Sequence, residues 1–277
     1  MWPTFATPLP YPNQLIDGLS SGIEKVQVIE LSPEMVKAQA HVEDITGGVL
    51  HNPKVQVRID DGRNFLAMTD ASFDMITADP IHPRDSGVGY LYTREYYEAL
   101  KRRLRPGGVV CQWMPMHQMS KRSFDVSFRT FAAVFPNASF WYVPRVGLFV
   151  ATQGPFSIDY QALAKRLEDP VVKADLASIH ISSDPADFLS YMLMGPDEIS
   201  AYLAANPSDT LNTDDNAYLE YHTPFEFLSL NRTVVAGLVP YAGLDLKIIR
   251  NLPDGDKQRL LASWLHRRDQ IVGELRK

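Results

Sequence analysis

The sequence predicts an α/β fold with a largely parallel sheet and an antiparallel edge. Three observations point to it. Between Lys25 and Phe135, short apolar runs rich in β-branched residues alternate with stretches of helical periodicity. Strand-like runs in this region stop abruptly at acids, namely Glu30, Asp60-Asp61 and Asp79. Two later apolar runs, Ser139–Val143 and Gly147–Thr152, are joined only by Pro144-Arg145-Val146. A connection that short permits only an antiparallel hairpin.

The elements follow in order. Residues 1–22 read as irregular, since Pro3, Pro8, Pro10 and Pro12 rule out a long helix. Lys25–Leu31 alternates as a strand. Ser32-Pro33-Glu34 is a helix start, with Ser32 as N-cap, and the helix is expected to run toward Ile45 and stop at Gly47-Gly48. Val55–Ile59 is the next strand, and Arg63–Met68 is a short helical stretch. Phe73–Ala78 is a buried strand ended by Asp79-Pro80. Thr93 caps a helix over Arg94–Leu104, which Pro106-Gly107-Gly108 terminates. Val109–Trp113 is a strand. Ser123–Phe135 is a helix whose stripe of Phe124, Phe128, Phe131 and Phe135 reads as core. Beyond Gly154, residues 159–169 and 196–206 look helical. Asn212–Glu220 reads as a polar turn leading into a short strand, and residues 226–277 as helical and charged with a break at Pro253–Gly255.

Composition narrows the function. The chain has 277 residues, 45% of them apolar, so a sizeable core is within reach. A formal net charge of −6 argues against a nucleic-acid partner and mildly favours a cationic substrate. The single cysteine, Cys111, excludes an internal disulfide and a cysteine-rich zinc site, and reads as a small core residue. No apolar run is long enough for a membrane span, and the N-terminus lacks the basic and apolar regions of a signal peptide. A cytoplasmic setting is expected.

Ligands of open α/β sheets sit beyond the carboxyl ends of strands, and that is where Asp79 lies. An acid closing a strand of a nucleotide-binding half, here Glu30, can take two ribose hydroxyls. Asp61-Gly62 can accept from an exocyclic amine, with the glycine leaving room for a purine. Either acid can equally be a helix cap. Around Asp79 the fold is expected to bring Tyr90, Tyr92, His82, Asp85, Gln112 and Trp113, and aromatic faces with carboxylates suit an alkylammonium. His82, between two prolines and without a second histidine at ligand spacing, reads as loop-stabilising rather than metal-ligating. No metal is expected.

These pieces resemble the spermidine synthase (polyamine aminopropyltransferase) family. The matching stretches are Val28–Val36, Asp60–Leu66, Phe73–Pro83, Leu91–Gly108 and Asn212–His222. The resemblance implies a Rossmann-like, class I methyltransferase-like fold. It also implies transfer of an aminopropyl group from decarboxylated S-adenosylmethionine to an amine such as putrescine. On that pattern Glu30 holds the ribose, Asp61 and Gly62 face adenine, and Gly18 and Gly22 belong to a glycine-rich loop. Asp79 is then the catalytic acid that holds and deprotonates the amine, while Tyr92, Gln112 and Trp113 line the substrate pocket. The family pattern suggests a homodimer. The chain departs from it in two places. One acid, Asp79, stands where the family has two, and Glu24-Lys25 follows Gly18–Ile23 so closely that the first β-α unit is incomplete. The expected divisions are an irregular segment over 1–24, a Rossmann-like core over 25–155, its continuation over 156–225 and a helical C-terminal extension over 226–277. Two alternatives stay open: a methyltransferase using S-adenosylmethionine, and a non-catalytic remnant that binds a partner or dimerises.

Overall fold

The computed structural model describes residues 23–43, 47–143, 146–226, 228 and 231–276. It is a mixed α/β protein, as expected. Strand β1 (Val26–Glu30) pairs parallel with β2 (Val55–Ile59), with Glu30 opposite Ile59. Strand β3 (Phe73–Ala78) pairs parallel with β4 (Leu104–Met114), with Ala78 opposite Gln112. The expected hairpin forms from β5 (Ser139–Val143) and β6 (Val146–Thr152) and joins β4 through antiparallel β6. Strand β8 (Met192–Met194) closes the other edge, so the larger sheet has the order β3-β4-β6-β5-β8. A third, two-stranded sheet pairs β7 (Ile158–Asp159) with β9 (Ile249–Arg250). Among the described residues, no ladder joins β1 or β2 to β3.

Helices connect these strands. Helix α1 (Pro33–Ala38) starts as expected, with the Ser32 hydroxyl accepting from the Met35 N–H. It ends well short of residue 45 and gives way to a 3-10 turn over Gln39–His41. None of its residues is buried, and a short helix without a docked apolar face has little to hold it. Helix α2 (Gly62–Met68) follows β2. Helix α3 (Arg94–Arg103) is capped by Thr93. Pro106-Gly107-Gly108 lies inside β4 rather than between helix and strand; Gly107 takes φ +76 and the β3–β4 register shifts between Phe73 and Met75.

Helix α4 (Lys121–Val134) lays its phenylalanine stripe on the larger sheet. Phe131 stacks on Phe149 with centroids 4.5 Å apart, and Phe128 meets the same ring edge-on at 4.7 Å. Offset and edge-on aromatic pairs of this kind add to the area they bury. The same core takes in Ile29 of β1, Phe65 and Leu66 of α2, and Val234, Val235 and Leu238 of α10 (Asn231–Leu238). Between these come α5 (Tyr160–Leu167), α6 (Pro170–Ser178), α7 (Pro185–Leu189), α8 (Pro196–Ala205) and α9 (Tyr218–His222). Helix α9 corrects the expected short strand after Asn212. The long α11 (Asp254–Leu275) docks through Trp264, whose indole N–H donates to Met192 O at 2.9 Å, and through Arg267, which stands 3.5 Å over the Tyr191 ring.

Candidate active site

Asp79 leaves β3 beside Gln112 and Trp113 of β4. Burial pushes its carboxyl up from the ordinary 3.8 to about 6. A carboxylate loses hydration when it is buried, so its neutral form gains. Among the described residues, no hydrogen bond offsets this effect. Tyr92 and Gln112 are both 0% exposed. Among the described residues, neither the Tyr92 hydroxyl nor Gln112 Oε1 has a partner of good hydrogen-bond geometry, but the two side chains are close enough for Gln112 to act on the Tyr92 phenol. The other end of the Gln112 amide donates to Trp113 O at 3.1 Å. Burial, reinforced by Tyr97 and then Asp79, holds the Tyr92 phenol well above its usual range. Cys111 is pushed to about 12 by burial and by Asp79, so its thiol stays protonated and is no nucleophile. Buried polar atoms without well-formed hydrogen bonds are rare, and two beside an unpaired carboxylate make this a candidate place for a polar ligand.

The loop after Asp79 is tied down from several sides. His82 is 6% exposed and uses both ring nitrogens: Nε2 donates to His117 O at 2.8 Å, and Nδ1 accepts from the Arg84 N–H at 3.2 Å. Glu220 of α9 accepts from the Gly87 N–H at 2.8 Å and the Gly89 N–H at 3.3 Å. Asn212 donates to Gly89 O at 2.9 Å. Arg63 of α2 donates to Tyr90 O at 3.2 Å and pairs with Asp214. Gly89 is required by proximity, since a Cβ there would lie 2.8 Å from Glu220 N and 3.0 Å from its Cα. Gly89→Ala should therefore cost about 2 kcal/mol, as overpacking against backbone does. A shift in the urea midpoint measures it.

The remaining candidates form a second group. Glu30 is 8% exposed, and its Oε1 accepts from the Ser32 N–H at 2.8 Å. The Asp60 N–H donates to Glu30 O at 3.0 Å, so the ends of β1 and β2 are adjacent. Asp61 caps α2 by accepting from the Asn64 N–H at 2.8 Å. Open space lies where a side chain at Gly62 would stand. Between the two groups stand tyrosines. The Tyr96 phenol is raised first by burial and then by the Asp61 charge, and its ring lies 5.8 Å from that of Tyr97, which in turn raises Tyr92. Trp113 is half-buried and meets the His117 ring edge-on at 6.2 Å. Gly18 and Gly22 lie outside the described residues. Sequence reasoning assigned no role to Glu220, Asn212, Arg63 or His117. The polar cluster Asn212–Asn216 was a signal for Asn212, because a run of such side chains needs hydrogen-bond partners wherever it is buried.

Residues 20–148 match the family model of the spermine/spermidine synthase domain. These residues belong to the spermine/spermidine synthase domain family. Curated relatives of the domain include polyamine aminopropyltransferase 2 of Hyperthermus butylicus, 32% identical over 117 residues, which are 42% of this chain and 38% of that one. Polyamine aminopropyltransferase of Mycobacterium tuberculosis is 37% identical over 93 residues, 32% of this chain and 18% of the relative. The chain thus spans less than half the length of these relatives. Among solved structures, spermidine synthase from Thermotoga maritima aligns with a TM-score of 0.46 and 19% identity over 55% of this chain and 54% of that one. Among the described residues, no helix is long and apolar enough to cross a membrane, and no group of three or more His, Cys, Asp or Glu is placed to hold a metal.

Proposed function

We propose that this spermine/spermidine synthase domain transfers an aminopropyl group from decarboxylated S-adenosylmethionine to a primary amine such as putrescine. The observation that carries the reading is the Asp79 carboxyl, raised to about 6 and set beside the buried polar groups of Tyr92 and Gln112, which lack well-formed hydrogen bonds to the rest of the protein. An alkylammonium brings three N–H donors, and this site offers oxygens from three side chains. Glu30, Asp61 and Gly62 would face the nucleoside.

The chemistry asks little of the protein beyond orientation and a base. An alkylammonium with a pKa of about 10 must lose a proton before its nitrogen can attack. An ordinary aspartate lies roughly 6 units below that, whereas Asp79 lies roughly 4 below, which favours the transfer. The neutral nitrogen then bonds to the methylene carbon beside the sulfonium. The carbon–sulfur bond breaks, its electron pair goes to sulfur, and methylthioadenosine leaves. The proton passes from Asp79 to solvent.

A non-catalytic binding module is the second reading. It is favoured by Glu30 and Asp61 already accepting from backbone N–H groups of the turns that follow them. Titration calorimetry separates the readings. Micromolar binding of decarboxylated S-adenosylmethionine, with S-adenosylmethionine much weaker, is the expected result. Equal binding of both forms points to methyl transfer, and binding of neither removes the transferase reading.

A further inference from the structure

Two walls of the candidate site come from neighbouring parallel strands. One is Asp79 at the end of β3, and the other is Gln112 and Trp113 near the end of β4. Beyond Ala78 and Gln112 no ladder pairing continues between them. The chain beyond each strand turns into a loop, and the two loops meet at one imidazole. His82, three residues after Asp79, donates from Nε2 to His117 O on the far loop. Its Nδ1 accepts from the Arg84 N–H on its own loop, which fixes the Nε2–H tautomer. Pro80 and Pro83 on either side are buried and stiffen the link to Asp79. The His82 and His117 rings meet edge-on at 5.4 Å, and His117 meets Trp113 in the same way at 6.2 Å. Arg84 adds a second bridge to Gln118. The charged and titratable groups facing His82 are His117, Arg84 and Asp85. Burial, foremost, holds His82 down to about 4, so it is neutral and its Nδ1 is free to accept near neutral pH.

We propose that His82 is a positioning residue that latches the Asp79 loop to the loop after β4, and so sets the spacing between Asp79 and the Gln112–Trp113 wall. As a claim about turnover it rests on the transferase reading above. The essential bond is Nε2–H to His117 O. The proposal is tested with three variants. In His82→Gln, the side-chain amide can place an N–H near the Nε2 position and keep that bond. His82→Asn can mimic only the Nδ1 acceptor. His82→Ala removes both.

In steady-state assays with decarboxylated S-adenosylmethionine and putrescine, His82→Ala and His82→Asn should raise KM for the amine about tenfold. His82→Gln should stay within about threefold of the parent, and methylthioadenosine affinity should hold within about twofold in all three. Wild-type amine KM in His82→Ala, or rescue by Asn as good as by Gln, would overturn the latch. If the parent chain shows no turnover, the transferase reading fails by itself and hydrogen exchange decides the latch. Amides 113, 114 and 116–119 should exchange faster in His82→Ala and His82→Asn and keep parental rates in His82→Gln. Unchanged exchange in all three removes the proposal.

Discussion

Replacing Asp79 by asparagine should lower turnover at least a hundredfold while making the folded protein more stable above pH 6. The first effect is the loss of a general base, for which factors of about 10²–10⁴ are typical. The second follows from linkage. The folded-state pKa is about 6 and the ordinary value is 3.8, so between these limits the folded protein binds more protons than the unfolded chain. Stability contributed by Asp79 therefore falls as pH rises from about 4 to about 6, and stays low above that. Two units correspond to about 2.7 kcal/mol, and with part of the group hydrated a gain of roughly 2 kcal/mol is expected for the asparagine variant at pH 8. The gain should vanish near pH 4. His82 has the opposite sign. Its folded-state pKa of about 4 lies below the ordinary 6.5, so its contribution is present above 6.5 and is lost as pH falls toward 4. The parent thus has two opposed slopes over the same interval. Asp79→Asn leaves the His82 slope alone, and denaturant titrations at several pH values would display it. Full turnover, or no stability gain at pH 8, would remove Asp79 from the role given to it.

Asn212→Ala should destabilise the fold by about 3 kcal/mol and lower amine transfer with it. Asn212 is 0% exposed. Its side-chain N–H donates to Gly89 O, and its Oδ1 accepts from the Leu219 N–H at 3.0 Å. Alanine keeps the backbone bonds to Thr130 Oγ1 and from the Arg94 N–H but strands one carbonyl and one N–H. Each orphaned buried group costs about 1–3 kcal/mol. Because Gly89 belongs to the loop beyond Asp79, the lost bond also slackens the site. Asn212→Asp sharpens the test. It can still accept from Leu219, but it sets a carboxylate oxygen against the Gly89 carbonyl, so it should recover stability as acid protonates it. A urea midpoint for Asn212→Ala within 0.3 kcal/mol of the parent would contradict this account.

Much of the fold could be read from the chain because local signals and tertiary packing agree there. Ser32, Thr93 and the phenylalanine stripe of α4 behave as their chemistry predicts. The readings that failed are those where a local signal was overruled. Pro106-Gly107-Gly108 looks like punctuation, yet pairing with β3 keeps it in β4. The N-cap of helix α9, Ala217, takes φ +41, a conformation that no residue preference announces. Strand β8 is three residues long and exists by pairing with β5. For the candidate site, the position of Asp79 at the end of an apolar strand was legible. The complete burial of Tyr92 and Gln112 beside it was not, because burial is a property of packing. The link from His82 to His117 spans 35 positions and involves a backbone carbonyl, which no spacing rule encodes.

The separation of the β1–β2 pair from β3 has a consequence for variation in this chain. Hydrogen-bonded strands hold a fixed spacing of about 4.8 Å whatever side chains they carry. Glu30 and Asp79 lie at the ends of strands that, among the described residues, are joined by no such rung, and Ile29, Phe65, Phe73 and Ile76 from this region belong to one apolar cluster. On the proposed reading, the width of the reaction zone is then a matter of side-chain volume. Trimming or enlarging any of these four apolar residues should change the reach between nucleoside and amine without altering a group proposed to touch either.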